Sequence, residues 1–162
     1  MGETTFVKNR TSAGYRSQDK LETTPGKFKT DPKLARVREN ASDFATAAHG
    51  GKLIRNSISS LVKDAKDKTC TSRMLKALMA VVKSDAVSPA GTGNLVDGNT
   101  KLLVGFDYNA GATRNLVFPT PITDNIDRVT GQLTINIPAF VPLQDVHAPN
   151  GTTHFQFVSA GS

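Results

Sequence analysis

A chain of 162 residues with 38% hydrophobic side chains, 6% aromatics and no tryptophan is sized for one domain, or one domain with an appendage, and its core is expected to fill only part of the length. A single cysteine, Cys70, excludes an intrachain disulfide and a cysteine metal cluster and points to a reducing compartment. The net charge of +6 is split: residues 1–84 carry 17 Lys/Arg against 8 Asp/Glu, and residues 85–162 carry 3 against 6, as two halves with different tasks would.

The N-terminus lacks the charged-then-apolar pattern of a signal peptide, and the myristoylation pattern begun by Met1-Gly2 fails at Phe6. No apolar run reaches the length of a membrane span, so the expectation is a soluble, cytoplasmic protein. Residues 1–35 read as a flexible basic arm, polar and without periodicity, that stretched out would reach about 115 Å at 3.3 Å per residue. Phe6, Tyr15, Leu21 and Phe28 are spaced singly along it, as anchors for docking on a neighbour would be.

Residues 36–85 predict a helical hairpin. Asn40 and Asp43 resemble a capping pair, and Phe44, Ala47, Gly51, Ile54, Ile58, Leu61 and Ala65 recur at alternating spacings of three and four. Lys52, Arg55, Ser59, Lys63 and Lys66 fall mostly on the opposite side. A second helix follows, capped by Thr69 or Thr71, with Leu75, Leu78, Met79 and Val82 as its apolar stripe. Residues 86–94 read as a Ser/Gly/Pro-rich linker.

In residues 95–162 the runs KLLVGFDYN, RNLVFP, GQLTINIPAF and HFQFV, punctuated by turn residues such as Asp124-Asn125 and Thr130-Gly131, predict short strands. Leu133, Ile135 and Ile137 alternate with polar residues, and Phe155 and Phe157 flank Gln156. The fold class expected is α+β: arm, helical hairpin, then a small antiparallel sheet module, sandwich- or barrel-like, with an open edge available to another chain.

Chemistry is sparse. In AAHGGKLIRNS (residues 47–57) Gly51-Lys52 suggests a phosphate loop, but Leu53 stands where a hydroxyl must hold the metal and Thr46 where the first glycine is required. The glycines are better read as a helix break or a close helix crossing. Asp145, His147 and His154 could be drawn as a metal site but supply at most three ligands in a turn, and a Cys70–His49 dyad has no third group. No nucleophile elbow, carboxylate pair or dinucleotide fingerprint is present, so the expectation is a protein that is not an enzyme, with no catalytic residues, no metal, no cofactor and no small-molecule substrate. The three N-x-S/T sequons at Asn9, Asn40 and Asn150 mean little without a secretory signal.

Two functional classes remain. The first is a structural or assembly protein acting through self-association or a protein partner, with Phe6, Tyr15, Phe28, Phe155 and Phe157 as interaction anchors. The alternative is a nucleic-acid-binding accessory protein in which Arg10, Arg16, Lys27, Lys29, Arg36, Arg38, Lys52 and Arg55 meet phosphates.

The stretch GKFKTDPKLARVRENASDFATAAHGGKLIRNSI, with LLVGFDYN, GQLTINIPAF and PNGTTHFQF downstream, resembles a group of short uncharacterised bacterial proteins. The resemblance covers about Gly26 to Val158 and is most specific at Asp31-Pro32, Arg38-Glu39-Asn40, Phe44 and Gly51-Lys52. It implies no activity and no site. It does imply further strand-like sequence beyond SAGS, so that the sheet of this chain is expected to be incomplete in a monomer.

Overall fold

The computed structural model describes residues 4–8, 13–19 and 25–160, and the fold is α+β. Within the expected arm, strands β1 (Thr4–Lys8) and β2 (Tyr15–Asp19) form an antiparallel hairpin, followed by helix α1 (Pro25–Thr30). Proline opens α1, where its fixed φ suits a helix and its missing N–H costs nothing. The Asp31 carboxylate then accepts from the Lys33 N–H at 2.9 Å and starts a 3₁₀ turn, Pro32–Leu34, that runs directly into α2 (Ala35–Ser57). Asn40 and Asp43 therefore lie inside α2 and do not cap it; the start signal is Asp31-Pro32, displaced from the helix by the intervening 3₁₀ turn.

α2 kinks at Ile58 into α3 (Ser59–Ala65), and α4 (Cys70–Lys83) returns along α2. The return is antiparallel: Gly93 touches both Val82 and Asp43, and Gly51 meets Leu78 and Met74. Ala47, Met74, Leu78 and Val82 are the buried center of the helical core, flanked by Ile54, Leu75, Met79, Leu95, Leu103, Phe106 and Tyr108. The glycine pair is a close crossing, as expected. A methyl on Gly51 would stand 3.2 Å from Leu78 Cδ1, and one on Gly50 would overlap Leu95. The helix break is separate, seven residues on at Ile58. Phe44 departs from its expected face and is 52% exposed, because α4 covers a stripe centred on Ala47 and leaves its flank open.

The expected linker is packed on the helices. Asp85 accepts N–H bonds from Ser88, Val87 and Asn94 at 2.9–3.1 Å, which hold its carboxyl well below the usual carboxylate range, the Ser88 bond first. Ser84 Oγ accepts from the Asn99 N–H at 2.8 Å, and Gly98 presses its backbone on the Val81 carbonyl. A second clamp holds residues 105–112 against the α3–α4 turn. Asp67 accepts from the N–H groups of Ala110 and Thr69 and from the Arg73 guanidinium, and its carboxyl is likewise depressed, most by Ala110. Arg73 also donates to the Asp107 carbonyl at 2.7 Å and lies over the Phe106 ring.

The C-terminal half carries less sheet than its sequence predicts. KLLVGFDYN forms a 3₁₀ turn (Thr100–Leu103) and a loop, RNLV forms the one-turn helix α5 (Arg114–Val117), and HFQFV forms no helix and pairs with no strand among the described residues. One hairpin is present there, β3 (Thr123–Asp127) with β4 (Gln132–Asn136), followed by α6 (Pro142–Asp145). Its turn is set by Asp127, whose carboxylate takes the Thr130 hydroxyl and the N–H groups of Val129 and Thr130, and by Gly131 at φ +72°. Asp124-Asn125, read as a turn, lies inside β3, where backbone pairing to β4 overrides the turn preference of the side chains. A two-stranded hairpin buries neither face fully, so no sandwich or barrel is formed among the described residues. Among these residues no helix is long and apolar enough to cross a membrane.

Candidate interaction surfaces

The C-terminal anchors belong to a cluster of phenylalanines. Thr113 caps α5 by accepting from the Leu116 N–H, and Arg114 donates to the carbonyls of Phe118 and Thr120, which fixes the chain as it leaves the helix. Phe118 is thereby held at the center, 4% exposed, with Phe140 at 5.1 Å and Phe157 at 4.9 Å between ring centroids. Phe155 and Phe157 pack on Phe140 and on each other at 5.6–6.0 Å, and every pair is edge-to-face, the geometry that sets the positive ring edge on the negative face.

Two properties distinguish this cluster from the helical core. Its outer rings are open, with Phe155 47% and Phe157 43% exposed beside exposed Val141 and Val158. And from Thr153 to Ala160 the backbone makes no hydrogen bond among the described residues; the last bond before it is Thr152 N–H to the Pro149 carbonyl. A segment with alternate phenylalanines turned to one cluster and an unpaired backbone offers the groups that strand pairing uses. The period-2 pattern marked Phe155 and Phe157 in the sequence, whereas Phe118 and Phe140 carry no signal that joins them.

The remaining anchors lie apart. Phe6 and Tyr15 sit on one face of the β1–β2 hairpin, where Phe6 pairs with Ser17 and Lys8 with Tyr15, and are 73% and 69% exposed. Phe28 is half-buried in α1 and lends its carbonyl to Arg38.

The eight cations of the nucleic-acid reading do not form one surface of free charge. Arg10 lies outside the described residues, as does the side chain of Arg16. Lys27 and Lys29 are exposed on α1. Arg36 pairs with Glu39 at 3.3 Å, and Arg38 donates to the carbonyls of Phe28 and Asp31 at 2.9 and 2.8 Å, so it ties α1 to α2. Lys52 is exposed and Arg55 half-buried on α2. Arg55 instead joins Asn56, Ser59, Ser60, Lys63 and Lys66 around a concavity of about 390 Å³ at the α2–α3 kink, floored by buried Val62. Lys63 and Lys66 lie outside those eight cations, although their spacing from Arg55 and Ser59 is that of one helix face.

The metal and nucleophile candidates are used otherwise. His147 Nδ1 lies 2.8 Å from the Leu116 carbonyl, which can only accept, so the ring donates there; its backbone N–H bonds the Val117 carbonyl, and residue 147 staples the chain to α5. His154 Nδ1 pairs with the Thr153 hydroxyl at 2.9 Å. Asp145 accepts from the Val141 N–H at 2.7 Å across the single turn of α6. Among the described residues no group of three His, Cys, Asp or Glu side chains could hold a metal ion. Cys70 is fully buried beside Tyr108, whose phenol is pushed up by burial and, less, by that thiol; His49 is exposed on α2.

No family model, no curated protein and no solved structure matches this chain.

Proposed function

We propose that this chain is a non-enzymatic structural or assembly protein that self-associates through its C-terminal edge. What carries the reading is the Thr153–Ala160 backbone, without hydrogen-bond partners among the described residues, in the segment that holds half-open Phe155 and Phe157. Strand addition satisfies such a backbone by main-chain bonds and covers the alternate side chains at the same time. The segment is suited to pairing with its own copy. In an antiparallel pair centred on Gln156, Phe155 of one copy stands across from Phe157 of the other, on one face, which is a favourable cross-strand pair made twice by the two-fold axis.

The magnitude sets the expected strength. Covering the exposed parts of Phe155 and Phe157 withdraws roughly 180 Å² of ring per copy, or about 9 kcal/mol for two copies at 25 cal/mol per Å². Association costs about 4–15 kcal/mol in lost freedom and side-chain ordering, so the net from the rings is at most about 5 kcal/mol and the dimer weak, with Kd in roughly the submillimolar-to-millimolar range. Sedimentation equilibrium over a wide concentration range is expected to show a reversible dimer. Phe157→Asp is expected to abolish it, and Gln156→Pro, which removes a backbone donor without touching the rings, to weaken it with the circular dichroism unchanged. A monomer at the highest concentration reached, or a dimer indifferent to both substitutions, would overturn the reading.

The alternative, a nucleic-acid-binding accessory protein, has weaker support, since Arg36 and Arg38 already have partners within the chain. Its test is retention on single-stranded and duplex DNA that falls steeply as salt rises.

A further inference from the structure

We propose that the concavity at the α2–α3 kink binds a compact phosphate monoester carried by a small molecule. The site is separate from the C-terminal edge and independent of the self-association reading. Its lining residues include three cations, Arg55, Lys63 and Lys66, with Asn56, Ser59 and Ser60, and no acid. None of the three cations makes a hydrogen bond or ion pair among the described residues, in contrast to Arg36, Arg38, Arg73 and Arg114. The nearest acids in the chain are directed elsewhere. Asp64 lines the neighbouring hollow with Phe106, Tyr108 and Arg114, and Asp67 is spent on Arg73, Thr69 and Ala110.

The local fold explains the convergence. In an unbroken helix Arg55, Ser59, Lys63 and Lys66 would form a line of exposed charge along one face. The kink at Ile58, where φ is −118° and ψ 27°, folds that line into a hollow, so that the residues before the bend and those after it face a common volume. Arg55 lines the hollow while its half-buried guanidinium reaches one turn back along α2, where Nη1 lies 3.3 Å from the point at which a Gly51 side chain would begin. Like charges held together without a counter-charge repel, and an anion that enters relieves that repulsion while accepting from guanidinium, ammonium, hydroxyl and amide donors.

The arrangement selects the kind of anion. A tetrahedral dianion concentrates charge and several acceptor oxygens in a small volume, which matches three cations converging on one hollow. A polynucleotide presents singly charged diesters in succession and is matched by cations in a track along a surface, which the kink has removed. The hollow is large enough for the phosphate and part of the body that carries it.

The test is a titration of the intact chain followed by amide NMR, with inorganic phosphate, glucose 6-phosphate, sodium sulfate at matched ionic strength, and an oligothymidylate lacking terminal phosphates. Saturable shifts confined to the neighbourhood of residues 55–66 are expected with phosphate and with the sugar phosphate. Affinity is expected to fall below about pH 6, where the monoester takes up its second proton. Lys63→Ala and Lys66→Ala, both at exposed positions, are each expected to weaken binding by about tenfold, or about 1.4 kcal/mol, without changing the thermal midpoint. Shifts that do not saturate, or affinity unchanged in the double variant, would overturn the site. Sulfate, a dianion of the same shape, is expected to bind as phosphate does at neutral pH but without the loss of affinity below about pH 6. Tighter binding of the oligothymidylate than of the sugar phosphate would overturn the monoester assignment in favour of a nucleic-acid contact.

Discussion

Phe118→Ala tests whether the phenylalanine cluster holds the C-terminal half together. Phe118 is 4% exposed and meets Phe140 and Phe157 edge-on, so the substitution removes a buried ring and two ring pairs. Burial of phenylalanine in a core gives a cost of about 3–5 kcal/mol for truncation to alanine, and each ring pair adds about 0.5–1.5 kcal/mol beyond area. Phe155 and Phe157 are half-open, so their rings can settle into part of the space or meet water, and the expected loss is about 3 kcal/mol, at the lower end. None of the rings belongs to the Ala47–Met74–Leu78–Val82 core, so the loss is expected to fall on residues 113–160 before α2 and α4. Urea unfolding gives the total, and hydrogen exchange shows where it lands: protection at the His147 and Phe118 amides should fall while that of α4 is kept. Phe118→Leu, which keeps most of the volume, should cost under about 1.5 kcal/mol, and its coupling to Phe157→Leu should lie near 0.5–1.5 kcal/mol. A loss for Phe118→Ala below about 1 kcal/mol would refute the reasoning, because that is the cost of an ordinary substitution and not of a structural hub.

Two further outcomes follow from the clamps and the helix crossing. Asp67, Asp85 and Asp127 are held below the ordinary carboxylate value of 3.8 by donors that exist only in the folded state, so their stabilisation is complete above that pH and is lost as pH falls below it. Thermal midpoints measured from pH 5 downward should drop, and Asp85→Asn should lower the neutral-pH midpoint while flattening the fall. Gly98→Ala would drive a methyl into the Val81 carbonyl, a backbone atom that cannot turn away, and should cost more than about 2 kcal/mol in urea unfolding. Gly51→Ala meets only Leu78 Cδ1 and Arg55 Nη1 at 3.2–3.3 Å and gains about 1 kcal/mol of helix propensity, so it should be near neutral; equal costs at the two positions would refute this account of the packing.

How much of this could be read from residues alone divides along the range of the forces involved. The α2–α4 pair was legible because a helix is written locally: Ala47, Gly51 and Ile54 stand one turn apart, and the glycines announce a close neighbour. Even there, the side that α4 covers is a tertiary choice, which is why Phe44, three residues from buried Ala47, is exposed. Charges behave the same way. Arg38 and Lys63 look alike in sequence, yet Arg38 is committed to two carbonyls and Lys63 lines a hollow that only the bend at Ile58 creates.

Strands are written non-locally, and that is where expectation and structure part. LLVGF and NLVF are apolar and β-branched enough for strands, but a strand also needs an edge to bond, and here the Asp67–Arg73 clamp and the Thr113 cap take those segments into a loop and a helical turn. Thr123–Asp127 shows the converse, a polar stretch made a strand by its partner β4. HFQFV is the informative case. Its alternation is satisfied on the side-chain face, where Phe155 and Phe157 reach the cluster, and unsatisfied on the backbone, where residues 153–160 bond nothing among the described residues. Water can solvate that backbone at little cost, so the unpaired state is stable in dilute solution. It cannot solvate the open rings equally well, and the side-chain face therefore drives the pairing that the backbone then orients. On that reasoning, replacing the rings should abolish association, whereas blocking the backbone at Gln156 should only weaken it and loosen its register.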